Sequence, residues 1–476
     1  MITLIEIDGF KTFQDFKLEL SPFQVIVGPN GAGKSNLFDA LHLLSRLVDT
    51  DLRSAFQELR GDAIEVFTTI PNGQPVNKMK LAVEMLVDHS IQDSWGAKAE
   101  LKHTRMRYEL EIFRRNDKQG LERLYISWES LKAITRGEDT WCKKHKLSTQ
   151  SNWPLKLTGG KPPSFISTTE TKTGHTTIHL HQDGHGGGHK SSVAEKIERT
   201  VLSGITNTEF SHALAAKEEL RSCKFLQLNP EVLRDPSSML APPFLSADGH
   251  NLATTLARMR GEDSYVLNDV ASDLANLVPG ILKIEVDTDQ ARKQYIIRVI
   301  MQDETSFSSK VLSDGTLRML ALAALKNDSQ HRGVLCFEEP ENGVHPSRLK
   351  NIARLLRELA TDFEDENQKG LPLRQLLVNT HSPTFISQPE IRDALLFAYM
   401  VTRVGPQAKG IPPHRVTRIA KVAKPHPQLN LPLDLARSKE EQSYAVEQNY
   451  TVEQIKHYLN SDTLNEAYEN LTQDKV

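Results

Sequence analysis

The chain reads as an α/β protein built on mixed β-sheets, and three stretches say so. "FQVIV" (23–27) is a continuous apolar run suited to a buried strand. It runs through "GPNGAGKSN" into a segment from Lys34 that keeps Leu37, Phe38, Ala40, Leu41, Leu44 and Leu47 on one helical face. From Leu312 onward the pattern alternates helix, strand, helix, strand, as a parallel sheet requires. "KLAVEMLVD" (80–88), "RMRYELEIFR" (105–114) and "LERLYISWESL" (121–131) read instead as successive strands of an antiparallel meander.

The remaining elements fit around these. Ile2 to Ile7 and "FKLEL" (16–20) alternate like strands. Residues 135–195 are polar, with "TGGKPP" and "HGGGHK", and suggest a hairpin among loops. Residues 196–275 look mostly helical, broken by "DPSSMLAPP"; "ILKIEVD" and "QYIIRVIMQ" return to strand. This predicts an N-terminal lobe over 1–134, an insertion over 135–275, a C-terminal lobe over 276–400 and an extension over 401–476. No stretch sustains heptads, so no long coiled coil is expected.

Composition narrows the class. The chain has 476 residues, and 38% are hydrophobic, enough for a large core. No run approaches the ~18 apolar residues of a membrane helix, and "MITLIEIDGF" lacks a basic leader. Cys142, Cys223 and Cys336 are too scattered for a disulfide framework or a ligand pair. A cytoplasmic protein with no membrane partner is expected. A net charge of −3 gives no global pull toward nucleic acid, so DNA binding would need a local basic patch.

Gly28 to Ser35 matches G-x-x-x-x-G-K-S/T without a mismatch, between a strand and a helix. Such glycines let backbone N–H groups, here around Asn30, Gly31 and Gly33, turn inward on phosphates. Lys34 would reach the β and γ oxygens, Ser35 would hold Mg²⁺, and Asn36 follows in the first helical turn. Downstream, "VLCFEEPENGVHP" (334–346) is an apolar strand ending in two carboxylates. Metal-assisted phosphoryl hydrolysis needs one carboxylate near Mg²⁺ and a group to orient water. Glu338, standing where Asp is more usual, fits the first role and Glu339 the second. Ser313 and Gly315 of "LSDGT" open an apolar helix, either as an anion site for a second copy's phosphate or as a plain N-cap. "LLVNTHSPTFI" (376–386) is another buried strand, leading to His381.

With these in order, the chain resembles an ABC-type ATPase of the SMC/RecF/OLD-like branch. "IDGFKTF" before "IVGPNGAGKSN" resembles the opening of SMC heads. "LSDGT" resembles the signature motif, "FEEPENGVHP" the Walker B and D-loop, and "THSP" the switch histidine. The resemblance covers about residues 1–60 and 280–400. It implies a compact ABC head that forms a homodimer or higher oligomer around ATP and Mg²⁺. Lys11 and Thr12 would lie near nucleotide, Lys34 and Ser35 on phosphate and metal, and Ser313 and Gly315 would act in trans. Glu339 would polarise water and His381 would sense the γ-phosphate. Gln57 is a candidate for the Q-loop by position alone.

The departures matter as well. The missing coiled coils set the chain apart from SMC proteins. The stretch after His381 has no Asp-x-Asp with an upstream Glu, so nuclease activity on this chain is not expected. "FLQLNPEVLRDPS" and "LSADGHNLATTLARM" resemble compact ATPases of bacterial anti-phage defence operons, which work beside a separately encoded effector. Two functions follow: a defence sensor that controls such an effector, or a RecF-type repair ATPase acting on DNA directly.

Three other stretches carry signals. His175, His179, His181, His185 and His189 cluster near Asp183, a possible Zn²⁺ set, though a solvated hairpin explains them as well. "RVTRIAKVAK" (415–424) and the group Arg105, Arg107, Arg114 and Arg115 offer basic faces for DNA phosphates. Thr451 and Gln454 form a capping box ahead of an amphipathic C-terminal segment.

Overall fold

The computed structural model describes residues 1–422, apart from 71–74, 117–119, 148–152, 154, 171–175, 184–188, 195–196 and 404–412, together with 451–457 and 459. Two large sheets organise it. The first has eight strands: β1 (Ile2–Asp8), β2 (Phe16–Glu19), β4 (Lys78–Leu86), β7 (Arg105–Asn116), β8 (Glu122–Ala133), β9 (Ser164–Glu170), β10 (Thr176–His181) and β11 (His189–Val193). They run antiparallel in the order β11-β10-β9-β8-β7-β4-β1-β2. The predicted meander is present, and the hairpin strands of 164–193 extend the same sheet beyond β8. A two-stranded ribbon of β5 (Ser90–Gln92) and β6 (Lys98–Glu100) branches between β4 and β7.

The second sheet carries the chemistry. It comprises β3 (Phe23–Val27), β12 (Lys224–Leu226), β17 (Gly333–Glu338), β18 (Arg374–Thr380), β19 (Leu395–Arg403) and β20 (His414–Lys421), in the order β12-β17-β18-β3-β19-β20. Every pairing is parallel except β19 with β20. All five residues of β3 are buried, as a strand covered on both faces must be. A small antiparallel sheet joins β13 (Ser237–Ser238), β14 (Ile281–Asp289), β15 (Gln294–Met301) and β16 (Ser306–Ser308).

Helix α1 (Lys34–Leu47) leaves the phosphate loop and buries Leu37, Leu41 and Leu44 against the first sheet. Short helices α2 (Leu52–Gln57) and α3 (Thr140–Lys144) are N-capped by Asp51 and Asp139. In the middle stretch lie α4 (Ser211–Arg221), α5 (Pro230–Leu233), α6 (Leu252–Glu262) and α7 (Val266–Leu277). Then α8 (Asp314–Asn327), α9 (Leu349–Glu358) and α10 (Pro383–Ile386) alternate with β17, β18 and β19. One side chain gathers three carbonyls at and after the end of α8: Arg374 donates to the oxygens of Lys326, Asp328 and His331 at 3.0, 2.8 and 3.1 Å. Thr451 and Gln454 make the reciprocal bonds of a capping box. Ile455 and Leu459 behind it enter the same core as α8 and α9.

The first sheet buries a titratable latch. Glu129 on β8 is fully buried. It accepts from the N–H groups of Val201 and Leu202 at 2.6 and 2.9 Å and from the Tyr108 hydroxyl at 3.1 Å. Burial drives its carboxyl up to about 7, against the pull of those three donors. A raised acid favours the fold fully below its unfolded value and loses that contribution as pH climbs through the folded one. Stability should therefore fall by on the order of 3 kcal/mol between about pH 4.5 and 7 through this group. Glu129→Gln should flatten the thermal-midpoint profile over that window. Equal slopes in both proteins would refute the assignment.

Candidate functional site

The parallel order brings distant stretches to one sheet end. β3, β18 and β17 are neighbours, so the loop after Val27, the end of β18 and the end of β17 converge. Ligands bind at this carboxyl edge in open parallel sheets. A cleft of about 310 Å³ opens there, lined by Asn30, Gly31, Gly33, Lys34, Ser35, Asn36, Glu338, Glu339 and Asn379. Gly33 has φ +90, and a Cβ on it would lie 2.1 Å from Thr417 Oγ1, so only glycine fits. Lys34 donates to the carbonyls of Gly28 and Pro29 at 2.7 and 2.8 Å. Burial lowers its ammonium to about 8, while the nearby Glu339 and Glu338 pull upward.

The "FKTF" turn braces this loop. Phe10 and Phe13 are fully buried, which turns Lys11 and Thr12 toward α1. Lys11 pairs with Asp39 at 2.6 Å and donates to the carbonyl of Arg60. Thr12 shares a hydrogen bond with Thr417 at 2.6 Å and accepts from Asn36 at 2.9 Å. Neither Lys11 nor Thr12 lines the cleft; Thr12 holds Asn36, which does.

Beyond β17 the backbone turns sharply, with Glu339 at φ +50 and its N–H donated to Asn379 O at 2.8 Å. The turn aims the Glu339 carboxylate at His381, whose Nδ1 is hydrogen-bonded to it, and Asn342 Nδ2 donates to its other oxygen at 3.2 Å. His381 thus reaches the cleft through Glu339. Thr380 donates to Glu341, whose carboxyl is raised by burial. Glu338 faces Arg60 at 3.5 Å.

Ser313 and Gly315 lie outside the cleft lining. Ser313 caps α8 by accepting from Thr316 N at 3.2 Å. Gly315 packs on the loop after Glu339, where a Cβ would lie 2.9 Å from Gly343 O. Arg318 donates to Asn342 O at 2.8 Å. Arg234 holds the start of α8 through Asp314 and Leu312 O.

Several expectations need correction. Gln57 is exposed at the end of α2 and does not line the cleft. Gln227 directly follows β12 at the edge beside β17. With Arg60 and Glu338 it lines an adjoining hollow of about 550 Å³. Its signal was a glutamine directly after the short strand "KFL". Three of the four arginines of the β7 patch are paired with carboxylates. Arg105 is fully buried against Asp139, Arg107 meets Glu6, Glu84 and Glu109, Arg114 meets Glu122, and Arg115 lies over Tyr125. The row at 415–424 does not share a face, because a spacing of three alternates sides on a strand. Arg415 is exposed, while Arg418 is partly buried and donates to Gln14 O; Lys424 lies outside the described residues.

The histidine cluster binds hydroxyls. His179 bonds Thr169 and Ser191 at 2.9 and 2.8 Å, and His181 bonds Ser167 at 2.7 Å. Asp183 is engaged by Ser211 and His212. His175 and His185 lie outside the described residues, as does the side chain of His189. Among the described residues no group of three His, Cys, Asp or Glu could hold a metal, and no helix is long and apolar enough to cross a membrane.

A phosphate loop facing a carboxylate pair across parallel strands defines a P-loop nucleotide hydrolase. Family models agree and are more specific. Residues 1–198 match one described as "AAA ATPase domain", and residues 231–387 match one described as "AAA domain, putative AbiEii toxin, Type IV TA system". These matches place two AAA-type ATPase segments along the chain, and the protein is an ATPase. A chromosome partition protein Smc of Bordetella petrii is 36% identical over 93 residues, 19% of this chain and only 7% of that protein. Among solved structures, an Smc head bound to the C-winged helix domain of ScpA is 13% identical, with 88% of this chain and 97% of that one covered and a TM-score of 0.46. The SMC head domain from Thermotoga maritima is 13% identical, with 89% and 99% covered and a TM-score of 0.36.

Proposed function

We propose that this ATPase closes head to head around two ATP molecules and acts as the sensor subunit of an anti-phage defence system, governing a separate effector. The observation that carries the reading is the division of the motifs. Lys34, Ser35, Glu338 and Glu339 share one cleft, while Ser313 and Gly315 sit outside it on an exposed helix start. A second copy would supply Ser313 to the γ-phosphate. Lys34 would hold the β and γ oxygens, Glu339 would polarise water, and His381 would orient Glu339. Ser35 and Glu338 would hold Mg²⁺, whose chemistry is to neutralise charge building on the phosphates. The donors fit that ion: both are oxygens, and both accept from the buried amide of Asn379. The matched family description, with its toxin–antitoxin setting, supports the defence context. The DNA-acting alternative draws less support, since three of the four arginines of β7 are paired with carboxylates.

Mixing tests the trans geometry. Lys34→Ala and Ser313→Arg chains should each be inactive alone, and together should recover hydrolysis through one intact composite site. No recovery from two folded variants would overturn the sandwich. Failure to associate with the product of an adjacent effector-like gene would overturn the effector role alone.

A further inference from the structure

We propose that Asn379 is a positioning residue of the metal site, tying Ser35 to Glu338 and setting the affinity for the divalent ion. This rests on the ATP·Mg²⁺ reading above. Asn379 lies on β18, between β3, which leads into the phosphate loop and Ser35, and β17, which ends in Glu338; its register partners are Ile26 on β3 and Glu338 on β17. Its Nδ2 donates to Glu338 Oε1 at 3.3 Å and to Ser35 Oγ at 3.4 Å. A carboxylate can only accept, which fixes the amide orientation: nitrogen toward Glu338, oxygen away. That oxygen is buried, has no hydrogen-bond partner, and belongs to a residue only 4% exposed.

An amide in this place is costly. The preceding residues of β18 are Leu376, Leu377 and Val378, all fully buried. A buried acceptor without a partner is destabilising. The Asn379 backbone carbonyl already serves Glu339 N, so the side chain is not needed to fix the turn. What the amide does is gather the two oxygens that would face the ion. Glu338 is one methylene longer than an aspartate and has more rotamers to lose. The amide restrains it from one side and Arg60 from the other. The two oxygens it gathers, a hydroxyl and a carboxylate, are donors of the hard-cation kind.

The test is metal-resolved nucleotide binding. A fluorescent ATP analogue is titrated in EDTA and then across Mg²⁺ concentrations, with Mn²⁺ binding followed by electron paramagnetic resonance. Asn379→Leu should leave affinity in EDTA within about twofold and raise the half-saturating Mg²⁺ and Mn²⁺ concentrations by roughly 10–100-fold, as loss of an outer-shell partner does. Asn379→Ser, smaller and still polar, should give a partial shift and guards against misfolding of the leucine variant. Unchanged metal dependence in a folded variant would overturn the inference and leave the nucleotide reading standing. A wild-type chain whose ATP binding ignores Mg²⁺ would overturn both.

Discussion

Glu339→Gln should retain ATP yet hydrolyse it roughly 10²–10³-fold more slowly, within the range that a positioned base contributes. The substitution keeps the side chain's length and one acceptor oxygen, so the contact with Asn342 can persist. What disappears is the carboxylate that faces His381 and the cleft. On the proposed mechanism the closed ATP-bound dimer then accumulates, because only hydrolysis reopens it. Lys34→Ala behaves differently: it removes the cation that would hold the phosphates, so binding and turnover fall together. Single-turnover hydrolysis, nucleotide affinity and size-exclusion with ATP separate the two. A glutamine variant with near wild-type turnover would remove Glu339 from the chemistry. One that turned over slowly but never dimerised would remove the link between closure and ATP.

Much of this site was legible because its signals are local. The phosphate loop, the apolar strand ending in Glu338 and Glu339, and the strand leading to His381 each announce themselves within about a dozen residues. The alternation of β4, β7 and β8 likewise encodes one buried face. What stayed hidden depends on which strands are neighbours. Asn379 looks like any residue near a strand end until β18 is seen between β3 and β17. Gln227 gains meaning only because β12 pairs with β17. The arginines of β7 misled for the same reason. The sequence shows cations at 105, 107 and 114, but their charge is cancelled by Glu84 across the register from Arg107 and by Glu6, Asp139 and Glu122 from farther along the chain. Net charge on a strand face is a property of pairing, and pairing is not local.

That cancellation has its strongest consequence at Arg105, where Arg105→Ala should cost about 3–5 kcal/mol of stability, the range for breaking one side of a buried pair. The guanidinium is fully buried and grips Asp139 with two bonds, at 2.9 and 3.2 Å, while a third reaches Thr3 at 2.7 Å. It also lies over Trp141, 5.4 Å from the ring. Asp139 in turn caps α3 by accepting from Cys142 N at 3.0 Å. Removing the arginine strands a carboxylate that is 2% exposed and opens a cavity beside it. Lysine should rescue little, since a point charge cannot reproduce the two-pronged grip. Asp139→Asn added to the alanine variant should restore part of the loss, because no buried charge is then left alone. Acid adds an independent check. Burial pushes the Asp139 carboxyl up, but its bonds from Arg105 and Cys142 hold it below the usual value. A depressed acid stabilises the fold above its unfolded value and loses that effect as pH falls through the folded one. Without Arg105 burial prevails, the carboxyl rises, and the penalty on the variant should ease as Asp139 is protonated in mild acid. Urea unfolding at pH 7.5 and pH 5 measures both effects. A loss below about 1 kcal/mol at pH 7.5, typical of an exposed pair, would mean that the pair is not the buried anchor its geometry describes.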